Sequence, residues 1–100
     1  MIEVRSIHVE QYHFIGVYMN LPQYPIHLIL STHTILAQDN FSISFFEAAD
    51  KRIAVILCEY VFGFDGLLNS VVSQRNQIAM YKGVEKGMDA RKALLLCEED

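Results

Sequence analysis

The sequence predicts an α+β fold, a mixed, mainly antiparallel β-sheet packed against three to four short helices. Strand-like alternation broken by turn residues fills the first half of the chain, and helix-capping residues recur in the second half. Between them, Ile53–Phe62 is a short, nearly unbroken apolar run. Such a run, too short and unpatterned for an amphipathic helix, is typical of a strand buried on both faces. We therefore expect it to be the central strand of a single domain spanning residues 1–100.

The first half is predicted to be an antiparallel meander of four strands. These are Ile2–Val9, Tyr12–Asn20, Ile26–Leu30 and Thr34–Gln38. A two-residue turn joins the first pair and places His8 opposite His13. Pro22 and Pro25 mark a loop, because proline cannot donate to a strand ladder. Both faces of the first hairpin carry apolar residues, so we expect helices to cover one face and a loop or a partner chain to cover the other.

The second half is predicted to alternate short helices with strands. Ser42 or Ser44 caps a helix that runs to about Lys51. After the central strand we expect a helix at Phe64–Asn69, a strand at Ser70–Arg75, a helix at Gln77–Lys82 capped by Asn76, and a final helix from Ala90 capped by Asp89. Because Glu98, Glu99 and Asp100 lie at the negative end of that helix dipole, its last turn is predicted to fray.

Composition excludes some partners and favours others. The net charge is −4 with eight Lys and Arg, so there is no basic footprint for nucleic acid. No apolar run approaches the ~20 residues of a membrane-spanning helix. Two cysteines and the lack of a secretory signal predict a cytoplasmic protein with reduced thiols. Hydrophobic residues make up 52% of the chain, which exceeds the need of a small monomer and predicts self-association, with two-fold symmetry the commonest form.

Three segments of the chain carry a family resemblance: the strand-turn-strand segment Ile2–Pro22, the pattern Gly83-Val84-x-x-Gly87-Met88, and Ala93-Leu94. In these segments the chain resembles the YunC-like proteins, small bacterial and archaeal proteins with a domain of unknown function. The apolar central strand and the helical turn ending in Leu67-Leu68 lie in the expected order between them. The resemblance covers nearly the whole chain and implies a cytosolic α/β protein, but it implies no activity.

Two positions depart from the pattern of that family. Members often read Gly-Tyr-Ile-Met-Cys-Gly in the fourth strand, where this chain has His33 to Gln38 and Ala37 replaces the cysteine. If family members use that thiol as a nucleophile or ligand, this protein cannot. The turn glycine expected at position 11 is Gln11, which predicts a left-handed residue there or a changed turn.

His8 and His13 are candidate metal ligands because cross-strand neighbours have Cβ atoms roughly 5 Å apart. A catalytic zinc site needs a third protein ligand, and the sequence near them supplies none. The alternative is a pair of solvated histidines at the end of a hairpin. The sequence therefore predicts no metal and no cofactor.

Glu59 is a candidate acid-base residue because it interrupts the buried strand. Burial would raise the pKa of its carboxyl group towards the range useful for proton transfer. The alternative is that the strand has emerged into solvent, or that Glu59 pairs with a neighbouring basic residue. His33 and Asp39, which flank the fourth strand, His27 in the third strand and Tyr60 next to Glu59 complete a possible acid-base set around a crevice.

Two functions remain after these observations. The favoured one is a non-enzymatic, homo-oligomeric interaction or small-ligand-binding module, because the sequence has an apolar excess and lacks a nucleophile elbow, phosphate loop or dinucleotide fingerprint. The second is a small acid-base or metal-assisted hydrolase built on His33, Asp39 and Glu59.

Overall fold

A computed structural model describes residues 2–22, 24–47, 52–59 and 63–99. Six strands form one sheet in chain order: β1 (Ile2–Val9), β2 (Tyr12–Leu21), β3 (Tyr24–Leu30), β4 (Thr34–Gln38), β5 (Ala54–Cys58) and β6 (Val72–Arg75). The described helices are α1 (Ile43–Glu47), α2 (Gly63–Leu68), α3 (Gln77–Tyr81) and α4 (Ala90–Glu98). The predicted α+β class is confirmed. None of these helices has the length and apolar content needed to cross a membrane.

The sheet is mixed, because β4 and β5 pair in parallel while all other neighbours are antiparallel. A parallel pair needs a crossover connection, and the segment containing α1 supplies it. The predicted hairpin register is confirmed, with His8 opposite His13 and Val9 opposite Tyr12. All five residues of β5 are buried, as expected for a central strand. The last part of the predicted strand, residues 60–62, lies outside the described residues.

The turn of the first hairpin differs from the sequence prediction in one residue. Glu10 has a positive φ of 56°, whereas Gln11 does not. A two-residue hairpin turn can have a positive φ at its first central position alone, so the left-handed conformation expected at Gln11 falls on Glu10 instead.

One face of the sheet packs against helices and holds the main core. Its fully buried side chains come from β2 to β5 and from the covering helices: Phe14, Ile29, Leu36, Ile56, Leu67 and Leu94. The alternation of the hairpin explains which residues enter this core. Ile7, Val9 and Phe14 point towards α2 and α4, whereas their chain neighbours point the other way.

The opposite face is covered over only part of its width. Beneath the segment that includes α1, Ala37, Val55 and Leu57 form a second small core. Across β1 to β3 the same face carries apolar side chains open to solvent, with Ile2 67%, Val4 64% and Ile15 49% exposed. We call this surface the open apolar face, and it consists of Ile2, Val4, Ile15, Val17, Met19, Leu21, Ile26 and Leu30.

Helix capping follows the sequence prediction in α1 and α3. Ser42 is the cap of α1, because its Oγ accepts a hydrogen bond from the backbone N–H of Phe45 at 3.2 Å; residues 48–51, where we expected the helix to continue, lie outside the described residues. Asn76 caps α3 through its Oδ1, which accepts from Ala79 N at 3.0 Å and from Val55 N at 3.0 Å. The same side chain therefore joins α3 to the central strand.

The ends of α4 differ from the prediction. Asp89 occupies the N-cap position without a side-chain cap hydrogen bond. At the other end, the expected fraying of Glu98 is wrong because its carboxylate accepts hydrogen bonds from Ser31 Oγ and Thr34 Oγ1, both at 2.9 Å. Lys82 Nζ donates to the carbonyl of Cys97 at 3.0 Å. These contacts offset the unfavourable helix dipole; Asp100 lies outside the described residues.

Candidate functional site

A row of polar side chains crosses the helix-covered face of the sheet. Successive cross-strand partners place Glu3 beside Tyr18 and Tyr18 beside His27, and on the parallel pair Gln38 lies beside Cys58. His27 joins Gln38 through hydrogen bonds. Because direct cross-strand partners share one face, these side chains all point towards the helices. The row marks the edge where the apolar core of this face ends.

His27 and Gln38 form a buried polar pair in this row. Their exposed fractions are 2% and 0%. Gln38 Oε1 accepts from the backbone N–H of His27 at 2.9 Å and lies 3.2 Å from His27 Nδ1. A backbone N–H can only donate, so the amide atom of Gln38 that faces it is the oxygen. Because this oxygen can only accept, Nδ1 of His27 carries the hydrogen in the second contact. Gln38 Nε2 donates to Asn40 Oδ1 at 3.1 Å, which holds the amide in place.

Helix α2 lies over the end of this row. The ring of Phe64 meets the ring of His27 edge to face with centroids 5.6 Å apart, and the Tyr18 ring also packs against His27 with centroids 4.7 Å apart. Gly16 allows the close approach, because a Cβ there would lie 2.5 Å from Ile7 Cδ1 and 2.9 Å from Phe64 Cε1. A residue with a side chain would push α2 away from the hairpin.

A cavity of about 380 Å³ lies where the polar row meets α2. Its lining residues are Glu3, Arg5, Tyr18, His27, Gly63, Phe64 and Asp65. The volume falls near the lower end of the range of small-molecule pockets, roughly 300–1,000 Å³. It is the place where charged and aromatic side chains from β1, β2, β3 and α2 come together.

Arg5 is held on the rim of this cavity by two contacts. Its guanidinium lies 5.3 Å from the ring centroid of Phe64, a cation–π geometry. Its Nε and Nη2 both donate to Glu3 Oε2. The ion pair is largely exposed and therefore adds little stability, but it orients the guanidinium plane.

The structure does not bring the predicted acid-base residues together. His33 directly precedes β4 and Asp39 directly follows it, so the five residues of that extended strand lie between them and hold them about 20 Å apart. His33 instead lies 3.9 Å from Glu98. Asp39 and Glu59 do lie at the same edge, because Gln38 and Cys58 are partners on the parallel strands. The predicted crevice around His33, Asp39 and Glu59 is therefore not formed.

Glu59 lies just beyond the end of β5 and is exposed. The buried carboxylate considered from the sequence is therefore wrong, and the alternative reading, a strand that has reached solvent, matches the structure. Its backbone N–H donates to Val71 O at 3.2 Å, and its carbonyl accepts from Ser70 Oγ at 3.2 Å. Tyr60 lies outside the described residues.

The two cysteines are free and buried, as small apolar side chains would be. Burial, followed by the negative charges of Asp39, Asp89 and Glu59, raises the pKa of the Cys58 thiol from 9.0 to about 12. Burial likewise raises the pKa of Cys97 to about 11. Because the thiolate is the nucleophile and the metal ligand, neither cysteine is prepared for those roles at neutral pH.

His8 and His13 are neighbours, as the register predicted, but their geometry does not suit a shared metal. The rings are stacked with centroids 4.6 Å apart and an interplanar angle of 6°. Ring nitrogens bind metals through lone pairs in the ring plane, and parallel stacked planes do not direct those lone pairs to one point. Elsewhere in the described ranges, no group of three or more His, Cys, Asp or Glu side chains could hold a metal ion.

The cavity uses residues that the sequence reasoning passed over. Arg5, Tyr18 and Asp65 carry no motif, and His27 was expected in a crevice with Glu59 and not beside these residues. A usable signal existed in the hairpin register, because Glu3, Arg5 and Tyr18 are polar residues on the same face as the apolar Ile7 and Phe14. The approach of α2, by contrast, had no signal in the sequence.

Comparisons with known proteins identify the fold and no activity. No family model matches the chain, and no curated protein matches it. The chain is similar to the crystal structure of a protein of unknown function, TA1206 from Thermoplasma acidophilum, with a TM-score of 0.85 at 15% identity over 97% of this chain and 93% of that one. At this identity the likeness shows a shared fold alone, and the resemblance to the YunC-like proteins stays a prediction.

Proposed function

We propose that this protein is a small-ligand-binding module, with the ligand held in the cavity between β1–β3 and α2. The observation that carries the proposal is the buried His27–Gln38 pair at the edge of the cavity. Burying polar groups costs free energy unless every partner is in place. Of this pair, His27 lines the cavity and Gln38 holds its ring in place, so a hydrogen-bonded polar group with a fixed orientation lies at the cavity wall.

The lining residues support binding more than catalysis. The charged groups on the cavity, Glu3, Arg5 and Asp65, lie on its exposed rim, where they can recognise a ligand. The aromatic rings of Tyr18 and Phe64 pack against His27 and supply apolar contact area. Such a combination of apolar walls and a few polar groups is typical of small-molecule sites.

A titration followed by amide nuclear magnetic resonance tests the proposal. Mixtures of small polar metabolites are added to the labelled protein at millimolar concentration. We expect saturable shifts at the amides of Arg5, Tyr18, Phe64 and Asp65 for at least one compound. Asp65→Trp, which places a large side chain at the cavity wall, should abolish those shifts, whereas Glu85→Trp on an exposed loop should retain them. Shifts that are absent, or that persist in Asp65→Trp, would contradict ligand binding in this cavity.

A second candidate function is self-association through the open apolar face. The observation that favours it is the side-by-side exposure of Ile2, Val4 and Ile15 on neighbouring strands. A contiguous exposed apolar patch of this kind marks an interaction surface. A second copy of the chain fits it, because a two-fold contact is self-complementary and covers the same face on both copies.

Sedimentation and light scattering at micromolar concentration test the self-association. We expect a dimer that Val4→Asp converts to a monomer, because burying an unpaired carboxylate at the contact is costly. Met80→Asp is the matched control, since Met80 is an exposed apolar residue on α3, 43% exposed, away from this face. If the wild-type protein is a monomer, or if Val4→Asp leaves the dimer intact, self-association through this face is contradicted. The proposal of ligand binding in the cavity is not affected by either result.

A further inference from the structure

We infer that the ligand of the cavity is a small zwitterion, one that carries both a carboxylate and an ammonium group next to an apolar side group. The inference rests on the proposed ligand-binding function and names the chemical class that the same cavity would recognise. It follows from how the charges of Arg5 and Asp65 are placed around Phe64.

Arg5 offers a binding group for a carboxylate. Its Nε and Nη2 are used by Glu3, and the ring of Phe64 supports the guanidinium plane. Among the described residues, Nη1 with its two N–H groups meets no acceptor. A guanidinium presents its donors as a planar fork that matches a carboxylate, so an oriented Arg5 is ready to bind the acidic end of a ligand.

Asp65, another residue of the cavity lining, offers a binding group for a cation. It lies in the first turn of α2 and is exposed. In the ranges that the structure covers, its carboxylate forms no hydrogen bond or ion pair. Arg5 and Asp65 thus line one cavity without pairing with each other. Opposite charges that are kept apart in one cavity complement a ligand whose own charges are separated.

The aromatic walls of the cavity and the balance of its charges narrow the chemical class of the ligand further. Tyr18, His27 and Phe64 present ring surface, which suits an apolar or aromatic side group. Two carboxylates, Glu3 and Asp65, against one guanidinium disfavour a simple anion, and a simple cation would leave the Nη1 donors of Arg5 without an acceptor. A zwitterion presents each wall with the opposite charge.

Three matched probes test the inference: L-phenylalanine, L-phenylalaninamide, which keeps only the ammonium, and N-acetyl-L-phenylalanine, which keeps only the carboxylate. Binding is measured by amide shifts at residues 5, 18, 27, 64 and 65. We expect L-phenylalanine to bind about tenfold or more tightly than either analogue, the usual value of one charge-assisted contact.

Two variants assign each contact. Arg5→Gln should remove the advantage of L-phenylalanine over its amide, and Asp65→Asn should remove the advantage over the N-acetyl compound. Glu85→Gln should change neither. If an analogue binds at these amides as tightly as L-phenylalanine, the zwitterion is overturned while ligand binding stands. If none of the three probes binds, the inference is overturned, and the metabolite titration decides the proposed function separately.

Discussion

The two faces of the sheet at β1 to β3 differ in what covers them. On one face, Phe14 and Ile29 are buried beneath α2 and α4, and the apolar area ends in a row of hydrogen-bonded polar groups. On the other, Val4 and Ile15 stand open to solvent. The covered face therefore holds both the core and the candidate site, and the open face holds area for a partner. The same strands serve both because their side chains alternate.

The largest expected difference between the faces is in stability. Ile29→Ala removes a fully buried side chain and should lower the free energy of unfolding by about 2–5 kcal/mol. Ile15→Ala, on the open face of the neighbouring strand, should cost the monomer less than about 1 kcal/mol. Denaturant unfolding at dilute and at concentrated protein measures both. If Ile15→Ala lowered the free energy of unfolding as much as Ile29→Ala at every protein concentration, the open apolar face would be buried in solution.

The polar row on the covered face should be sensitive to loss of its acceptor. Gln38→Leu leaves the backbone N–H and Nδ1 of His27 without the oxygen that they share, and it should lower stability by about 1–3 kcal/mol. Gln74→Leu is the control, because Gln74 is an exposed residue of β6. Nitrogen chemical shifts of the His27 ring should show the hydrogen on Nδ1 in the wild type. An Nδ1 that carries no hydrogen would contradict the assigned hydrogen bond.

The smallest effect concerns Cys58, which ends the polar row. Because its folded pKa of about 12 lies above the unfolded value of 9.0, its contribution to stability is complete below pH 9 and is lost as pH rises towards 12. The loss should reach about 1 kcal/mol by pH 10. Unfolding measured from pH 8 to 10.5 should decline less steeply in Cys58→Ala. A parallel decline in both proteins would show that the thiol does not contribute.

Local patterns predicted much of the fold. The two-residue turn and the alternation in Ile2–Val9 were sufficient for the hairpin register, because both act between neighbours in the chain. Asn76 was recognised as a cap for the same reason. Glu98 was misjudged, because its partners Ser31 and Thr34 lie far away in sequence and only packing brings them to the helix end.

The candidate site, in contrast to the hairpin, was not predicted from local patterns. His33, Asp39 and Glu59 were chosen by residue type, and extended strands place His33 at the far end of the sheet. Arg5 and Asp65 were missed because they meet only when α2 docks on the hairpin at Gly16. The side-chain types of two segments do not encode that approach.

By itself, the sequence determined the α+β class, the hairpin register and the buried central strand, since hydrophobic periodicity and capping act over a few residues. Only the tertiary structure decided which hairpin face is covered and which polar residues share a cavity. Those outcomes depend on where α2 and α4 pack, and contacts between distant segments leave no periodic trace in the chain.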